Sequence, residues 1–100
     1  MPEYTVDQVF VQMRGGSLEL LFVLENFAGA RHRETLAFPT RNTIEAVERA
    51  AKHLAYRGDV RSVTGARLRR EQRGELKDDP SLQRMFVNAF ETHAENEDDV

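Results

Sequence analysis

The stretch TVDQVFVQMRGGSLELLFVLE, residues 5–25, decides the fold. Two runs rich in Val, Phe and Leu flank Gly15-Gly16, and this pattern predicts a two-residue hairpin turn, because primed turns need positive φ angles. The turn sets a register with three facing pairs: Met13 with Leu18, Val11 with Leu20, and Val9 with Phe22. Since side chains alternate along a strand, all six lie on one face. The stretch therefore predicts a β-hairpin with an apolar face.

The first run also fits a helical spacing. Val6, Val9, Phe10 and Met13 follow an i, i+3, i+4, i+7 pattern, and Gly15 is suited to end a short helix. The β-branched and aromatic residues of the run favour a strand instead. We therefore expect the hairpin and keep the helix as the alternative.

The opposite face of the hairpin is also partly apolar. Phe10, Leu21 and Val23 lie there among Gln8, Gln12 and Glu19. A sheet that faces water on one side would carry polar residues at all these positions. We therefore expect this second face to be covered, either by the C-terminal helix or by another molecule, which makes its three apolar residues candidate binding residues.

The rest of the chain predicts two further strands and two helices. Asn42 can cap a helix, with Glu45 three residues later, and Asp79-Pro80 is a second helix start. We expect strands at residues 31–38 and 60–72 and helices at 42–58 and 79–93, with residues 74–78 as a loop. The first helix has an apolar stripe of Ile44, Val47, Ala51 and Leu54, beside which lie Ala50 and Ala55. The second has a stripe of Leu82, Met85, Phe86, Ala89, Phe90 and His93.

This order of elements predicts a small single α+β domain. Its mainly antiparallel four-stranded sheet, in the sequence order β-β-β-α-β-α, would pack against the two helices. The domain is expected to span residues 1–93, and residues 94–100 to form an acidic, disordered tail.

Composition limits the classes of function. The chain has 100 residues, with 40% hydrophobic and 31% charged residues, which suits one globular domain. It has no cysteine, so disulfides, thiolate catalysis and cysteine-ligated metals are excluded. Absence of a long apolar run predicts no membrane span, and we expect a cytoplasmic protein.

Arginine is concentrated in one part of the chain. Residues 57–73 hold six arginines against Asp59 and Glu71, in a chain whose net charge is -3. On the predicted fourth strand, Arg61, Arg67 and Arg69 would project from one face and contact the phosphates of a nucleic acid. However, the strand has no aromatic residue for stacking on bases, and charged residues also protect edge strands from aggregation.

No catalytic pattern is present. His32, His53 and His93 are isolated from one another in sequence, and no glycine-rich phosphate loop or nucleophile motif occurs. We therefore expect no enzymatic activity, no cofactor and no metal. The first hypothesis is a protein-interaction module: a homodimer, an inhibitor or an accessory protein. The alternative is a nucleic-acid-binding module that uses the arginine strand.

Residues 34–48, ETLAFPTRNTIEAVE, resemble the last strand and helix start of the small three-stranded arm-binding domains of phage integrases. The resemblance is short, and no base-reading residue carries over to this chain. It assigns no site residue, and the family is not claimed for this chain.

Overall fold

A computed structural model describes residues 4–98 of the chain. These residues form six strands and two helices: β1 Tyr4–Arg14, β2 Ser17–Glu25, β3 Arg31–Phe38, α1 Thr43–Arg57, β4 Val60–Ser62, β5 Arg67–Gln72, β6 Glu75–Asp78 and α2 Pro80–Asp98. The predicted α+β class, with two helices packed on one sheet, is confirmed.

The sheet has the order β3-β2-β1-β5-β6, and β4 pairs with the start of β1. The β1–β2, β2–β3 and β5–β6 pairs are antiparallel, whereas β1 pairs with β4 and β5 in parallel. The sheet is therefore mixed and has more strands than the four expected. The parallel pairs arise because the chain passes through α1 before it returns to the free edge of β1.

The β1–β2 hairpin has the predicted register. Gly15 has a φ of 58° and Gly16 has no positive φ, which is the pattern of a II′ turn. All three predicted pairs form, and the helical alternative for the first run is wrong. An irregularity between Val6 and Gln8 inserts one residue, so Val6 also points into the core, opposite Leu24.

Both helices cover the same side of the sheet, which we call the core face. The rings of Phe22 on β2 and Phe86 on α2 lie with their centroids 6.0 Å apart, and both residues are fully buried. The predicted stripe of α2 therefore packs on its own sheet, with Leu82, Phe86 and Phe90 buried in the core.

Two predicted core residues are exposed. Met13 keeps 44% of its surface, because it lies beside the turn, beyond the part of β1 that pairs with β5. Ile44 keeps 48% of its surface exposed. The buried side of α1 begins at Ala46 and Val47, and Ile44 lies before them, in the first turn of the helix.

Three predicted boundaries need correction. Residues 60–72 form two strands, because the chain turns between them, where Ala66 N–H donates to the Val63 carbonyl over 3.0 Å. The predicted loop at 74–78 contains β6, which follows a turn at Arg73 and Gly74 with positive φ angles of 53° and 82°. Helix α2 ends at Asp98 instead of near His93, and residues 99 and 100 lie outside the described part.

Candidate binding face of the sheet

The side of the sheet opposite the helices, which we call the open face, carries the residues of the predicted second hairpin face. Cross-strand pairing arranges its side chains in rows. One row runs from β3 to β6 through Thr35, Leu21, Phe10, Arg69 and Asp78. The expectation that α2 covers this face is wrong, because α2 packs on the core face.

A second row lies one pleat further along the strands. It contains Arg33, Val23, Gln8 and Arg67, on β3, β2, β1 and β5. Arg33 and Arg67 stand three strand spacings apart, or about 14 Å. The apolar residues therefore lie in the middle of the open face, and arginines flank them on both sides.

The centre of the open face is concave. A depression of about 450 Å³ is lined by Gln8, Phe10, Gln12, Leu21, Val23, Arg31, Arg33, Glu71 and Leu76. Val23 is buried but lies outside the main core cluster, while Phe10 and Leu21 are half-buried. Leu76 on β6 is exposed and adds an apolar wall that the sequence reasoning missed, because residues 74–78 were expected to be a loop.

Arg69 does not line the depression itself, but it packs on two residues that do, Phe10 and Gln8. Its Cζ lies 4.8 Å from the centroid of the Phe10 ring, and its Nη2 donates to Gln8 Oε1 over 2.7 Å. The Nε–H of Arg69 is buried and has no hydrogen-bond partner. A guanidinium with an unused buried donor is incompletely solvated, which costs free energy in the isolated chain.

Arg67 differs from Arg69 because it has an acidic partner. Its Nε and Nη2 donate to Asp78 Oδ1 and Oδ2 over 2.8 and 3.1 Å. These hydrogen bonds raise the pKa of Arg67 and lower the pKa of Asp78 from their ordinary values. Both side chains are more than half exposed, so the pair contributes little to stability, but it neutralises the charge of Arg67.

Arg61, the third predicted arginine, lies elsewhere. It belongs to β4, which pairs with the beginning of β1, whereas Arg67 and Arg69 belong to β5. Its Cζ lies 5.1 Å from the ring centroid of Phe27, which is 75% exposed in the turn after β2. The structure thus brings Arg67 and Arg69 together on the open face and separates Arg61 from them.

An ion-pair network at the edge of the core escaped the sequence reasoning. Arg57, at the end of α1, donates to both carboxylate oxygens of Glu34 on β3 and to Asp59, including a 2.6 Å bond from Nη2 to Asp59 Oδ2. These contacts lower the pKa of Glu34 and raise that of Arg57. The network fastens the end of α1 to the sheet, and no sequence signal marks it because Glu34 and Arg57 are 23 positions apart.

The three histidines lie apart from the depression of the open face. His32 Nε2 is 3.0 Å from Glu34 Oε2, His93 packs edge-on against Tyr56, and His53 is exposed on α1. Among the side chains that the structure describes, those of residues 4–95, no three of His, Cys, Asp or Glu are grouped to hold a metal ion.

Comparison of the chain with protein-family models, curated proteins and solved structures finds no match. Neither α1 nor α2, the two helices of the described part, is long and apolar enough to cross a membrane. Function is therefore inferred from the residues of the chain itself.

Proposed function

We propose that the chain is a small protein-interaction module that binds a polypeptide partner on its open face and has no enzymatic activity. The observation that carries this proposal is the position of Phe10, Leu21 and Val23. They form an apolar floor on the side of the sheet that neither helix covers. An apolar surface that no element of the fold covers is a candidate for contact with another molecule, although these residues are already half-buried or buried among their neighbours on the sheet.

The layout of the open face fits an interface. The apolar floor is central and partly buried, and the polar side chains of Gln8, Gln12 and Arg33 surround it. Protein interfaces typically have this arrangement of an apolar centre and a polar rim, with arginine and aromatic residues enriched. A partner that is an inhibited enzyme, an assembly that needs an accessory subunit, or a second copy of the chain fits this chemistry.

Two observations support the absence of catalysis and a cytoplasmic location. The resolved pKa shifts, at Glu34, Arg57, Arg67 and Asp78, all arise from ion pairs that stabilise the charged forms. All four shifts move the pKa away from neutral pH, whereas a group tuned for acid–base catalysis is shifted toward the working pH. The chain also has no cysteine, which suits a reducing compartment.

Nucleic-acid binding through Arg61, Arg67 and Arg69 is the alternative, and the arrangement of these residues favours it less. Arg61 lies apart from the other two, and the charge of Arg67 is neutralised by Asp78. Phosphate contacts depend on uncompensated positive charge along a continuous surface. The exposed stack of Phe27 and Arg61 is the feature that best supports this alternative.

A selection from a displayed library of random peptides tests the proposed function. Wild-type protein is compared with Leu21→Asp, which places a charge on the apolar floor, and with Ile44→Asp, which places the same charge on an exposed apolar residue of α1. We expect peptides to be enriched on wild type and on Ile44→Asp but not on Leu21→Asp. Circular dichroism and thermal unfolding of each variant show whether its fold is intact.

Sedimentation equilibrium of the same three proteins identifies self-association. If wild type and Ile44→Asp each form a homodimer and Leu21→Asp is a monomer, the open face binds a second copy of the chain. If a folded Leu21→Asp variant enriches the same peptides and dimerises as wild type does, the claim that the open face is the binding surface is refuted.

A further inference from the structure

Arg69, on the open face, differs from the other arginines of the chain in how its positive charge is compensated. Of the twelve arginines in the chain, six form ion pairs with acids of the described residues: Arg14, Arg31, Arg49, Arg57, Arg67 and Arg70. Among the remaining six, five are exposed and Arg69 alone is half-buried. Water can solvate the exposed ones freely, whereas Arg69 has lost part of its hydration and has no acid within salt-bridge distance; Asp78, opposite it on β6, interacts with it only at longer range.

Arg69 also keeps unused hydrogen-bonding capacity. A guanidinium has five N–H donors, and the one bond that the guanidinium of Arg69 makes with the side chains of residues 4–95 goes to the neutral side chain of Gln8. Its Nε–H is buried with no acceptor, and its planar group rests on Phe10. The group is therefore held beside the apolar floor, where a carboxylate of a partner would approach it through its Nη groups and not through the buried Nε–H.

We propose that the partner segment carries a carboxylate next to a bulky apolar side chain, the carboxylate pairing with Arg69 while the apolar group fills the depression over Leu21 and Val23. This inference rests on the proposed function. An arginine and a carboxylate form charge-assisted hydrogen bonds, which are about twice as strong as bonds between neutral groups. Arg33 lies on the opposite side of the depression and forms no salt bridge with a described acid. It can therefore bind a second carboxylate.

The surroundings favour an acidic peptide over a nucleic-acid strand. Glu71 and Leu76 belong to the lining of the depression, and Asp78 lies opposite Arg69 on β6. A phosphate backbone would bring repeated negative charge against Glu71, which forms no salt bridge among the described residues, and would leave the apolar floor unfilled. A segment with one or two carboxylates around an apolar residue matches both the unpaired arginines and the floor.

Two focused peptide libraries test the inference directly. Both vary the central residue among bulky apolar side chains; the flanking positions are Asp or Glu in one library and Asn or Gln in the other. Each library is selected on wild type, Arg69→Gln, Arg69→Lys and Leu21→Asp. Peptides from the acidic library should bind wild type about ten- to a hundred-fold more tightly than their amide counterparts, and Arg69→Gln should abolish this preference. Arg69→Lys should retain part of it, because the charge remains but the planar fork is lost.

The possible results distinguish the inference from the function on which it rests. Equal binding of acidic and amide peptides to wild type, lost in Leu21→Asp, would keep the binding face and overturn the role of Arg69. An acidic preference that persists in a folded Arg69→Gln variant would likewise overturn that role. Absence of enrichment from either library on wild type would overturn both proposals.

Discussion

The guanidinium of Arg69 lies over the ring of Phe10, with 4.8 Å between the Cζ atom and the ring centroid. The two residues stand opposite each other in the parallel pairing of β1 and β5. Arg69 thereby covers one side of the apolar floor with a charged group that has no described acidic partner. Changes at Arg69 should consequently affect binding more than folding.

We expect Arg69→Met to change the free energy of unfolding by no more than about 1 kcal/mol. The variant loses the contact of a cation with an aromatic ring and a hydrogen bond to Gln8, but it removes a buried unsatisfied donor and packs an apolar side chain on Phe10. Urea denaturation monitored by circular dichroism measures the change. A loss above about 3 kcal/mol would show that Arg69 is a structural residue instead.

Phe22→Ala should destabilise the fold by about 3–5 kcal/mol, because Phe22 is fully buried and stacks on Phe86 of α2. The matched control is Phe27→Ala, which removes the same side chain from an exposed turn and should cost about 1 kcal/mol or less. Chemical denaturation of both variants provides the comparison. Similar losses at the two positions would contradict the assignment of Phe22 to the core.

The contribution of Glu34 to stability should depend on pH. The ion pair with Arg57 holds the folded-state pKa of Glu34 below its ordinary value of 4.5, so the contribution is present above that value and is lost as the pH falls through the folded-state pKa. At pH 7, Glu34→Gln should be less stable than wild type by about 1–2 kcal/mol, since Gln still accepts a hydrogen bond but carries no charge.

The stability gap between wild type and Glu34→Gln should narrow when unfolding is measured at progressively lower pH. The control is Glu75→Gln, because Glu75 is well exposed and its contact with Lys77 is long, at 3.9 Å. This control should differ little from wild type at any pH. A gap at Glu34 that does not narrow as the pH falls from 7 through the folded-state pKa would indicate that packing, not charge, makes the difference.

Replacing Arg61, Arg67 and Arg69 together with Ser tests the nucleic-acid alternative. If nucleic acid is not the partner, wild type and the triple variant should bind random duplex DNA with equally weak affinity, measured by fluorescence anisotropy at several salt concentrations. A strong, salt-sensitive affinity of wild type that the triple variant loses would establish the alternative and contradict the proposed binding of a polypeptide partner. Thermal unfolding of the variant provides the control for folding.

The local parts of the fold could be predicted because their signals lie within a few residues. The glycine pair indicated the hairpin register, and Asn42 and Asp79 marked the two helix starts through their side-chain bonds to the N–H groups of Glu45 and Leu82. The third strand, Arg31–Phe38, also has the predicted bounds. Each of these features depends on turn chemistry, capping or alternation that a short window contains.

Features that depend on contacts between residues far apart in the sequence could not be predicted from the sequence. The pairing of β1 with β5 joins Phe10 to Arg69, and the network of Arg57 joins α1 to β3; neither has a local signal. The apolar second face was recognised from Phe10, Leu21 and Val23, but which element covers it depends on the packing of α2. The position of Arg61 was also predicted wrongly. Alternation along a single strand over residues 60–72 would place Arg61 on the same face as Arg67, but a turn divides this segment into β4 and β5.

The central claim is that the open face binds the partner, and amide chemical-shift mapping tests it most directly. A peptide enriched on wild type is titrated into isotope-labelled protein, and the shifted resonances are placed on the structure. We expect shifts concentrated at Phe10, Leu21, Val23 and Arg69, with little change at the groove between α1 and α2 around Met85 and His93. Shifts concentrated at that interhelical groove, with the open face unchanged, would contradict the claim.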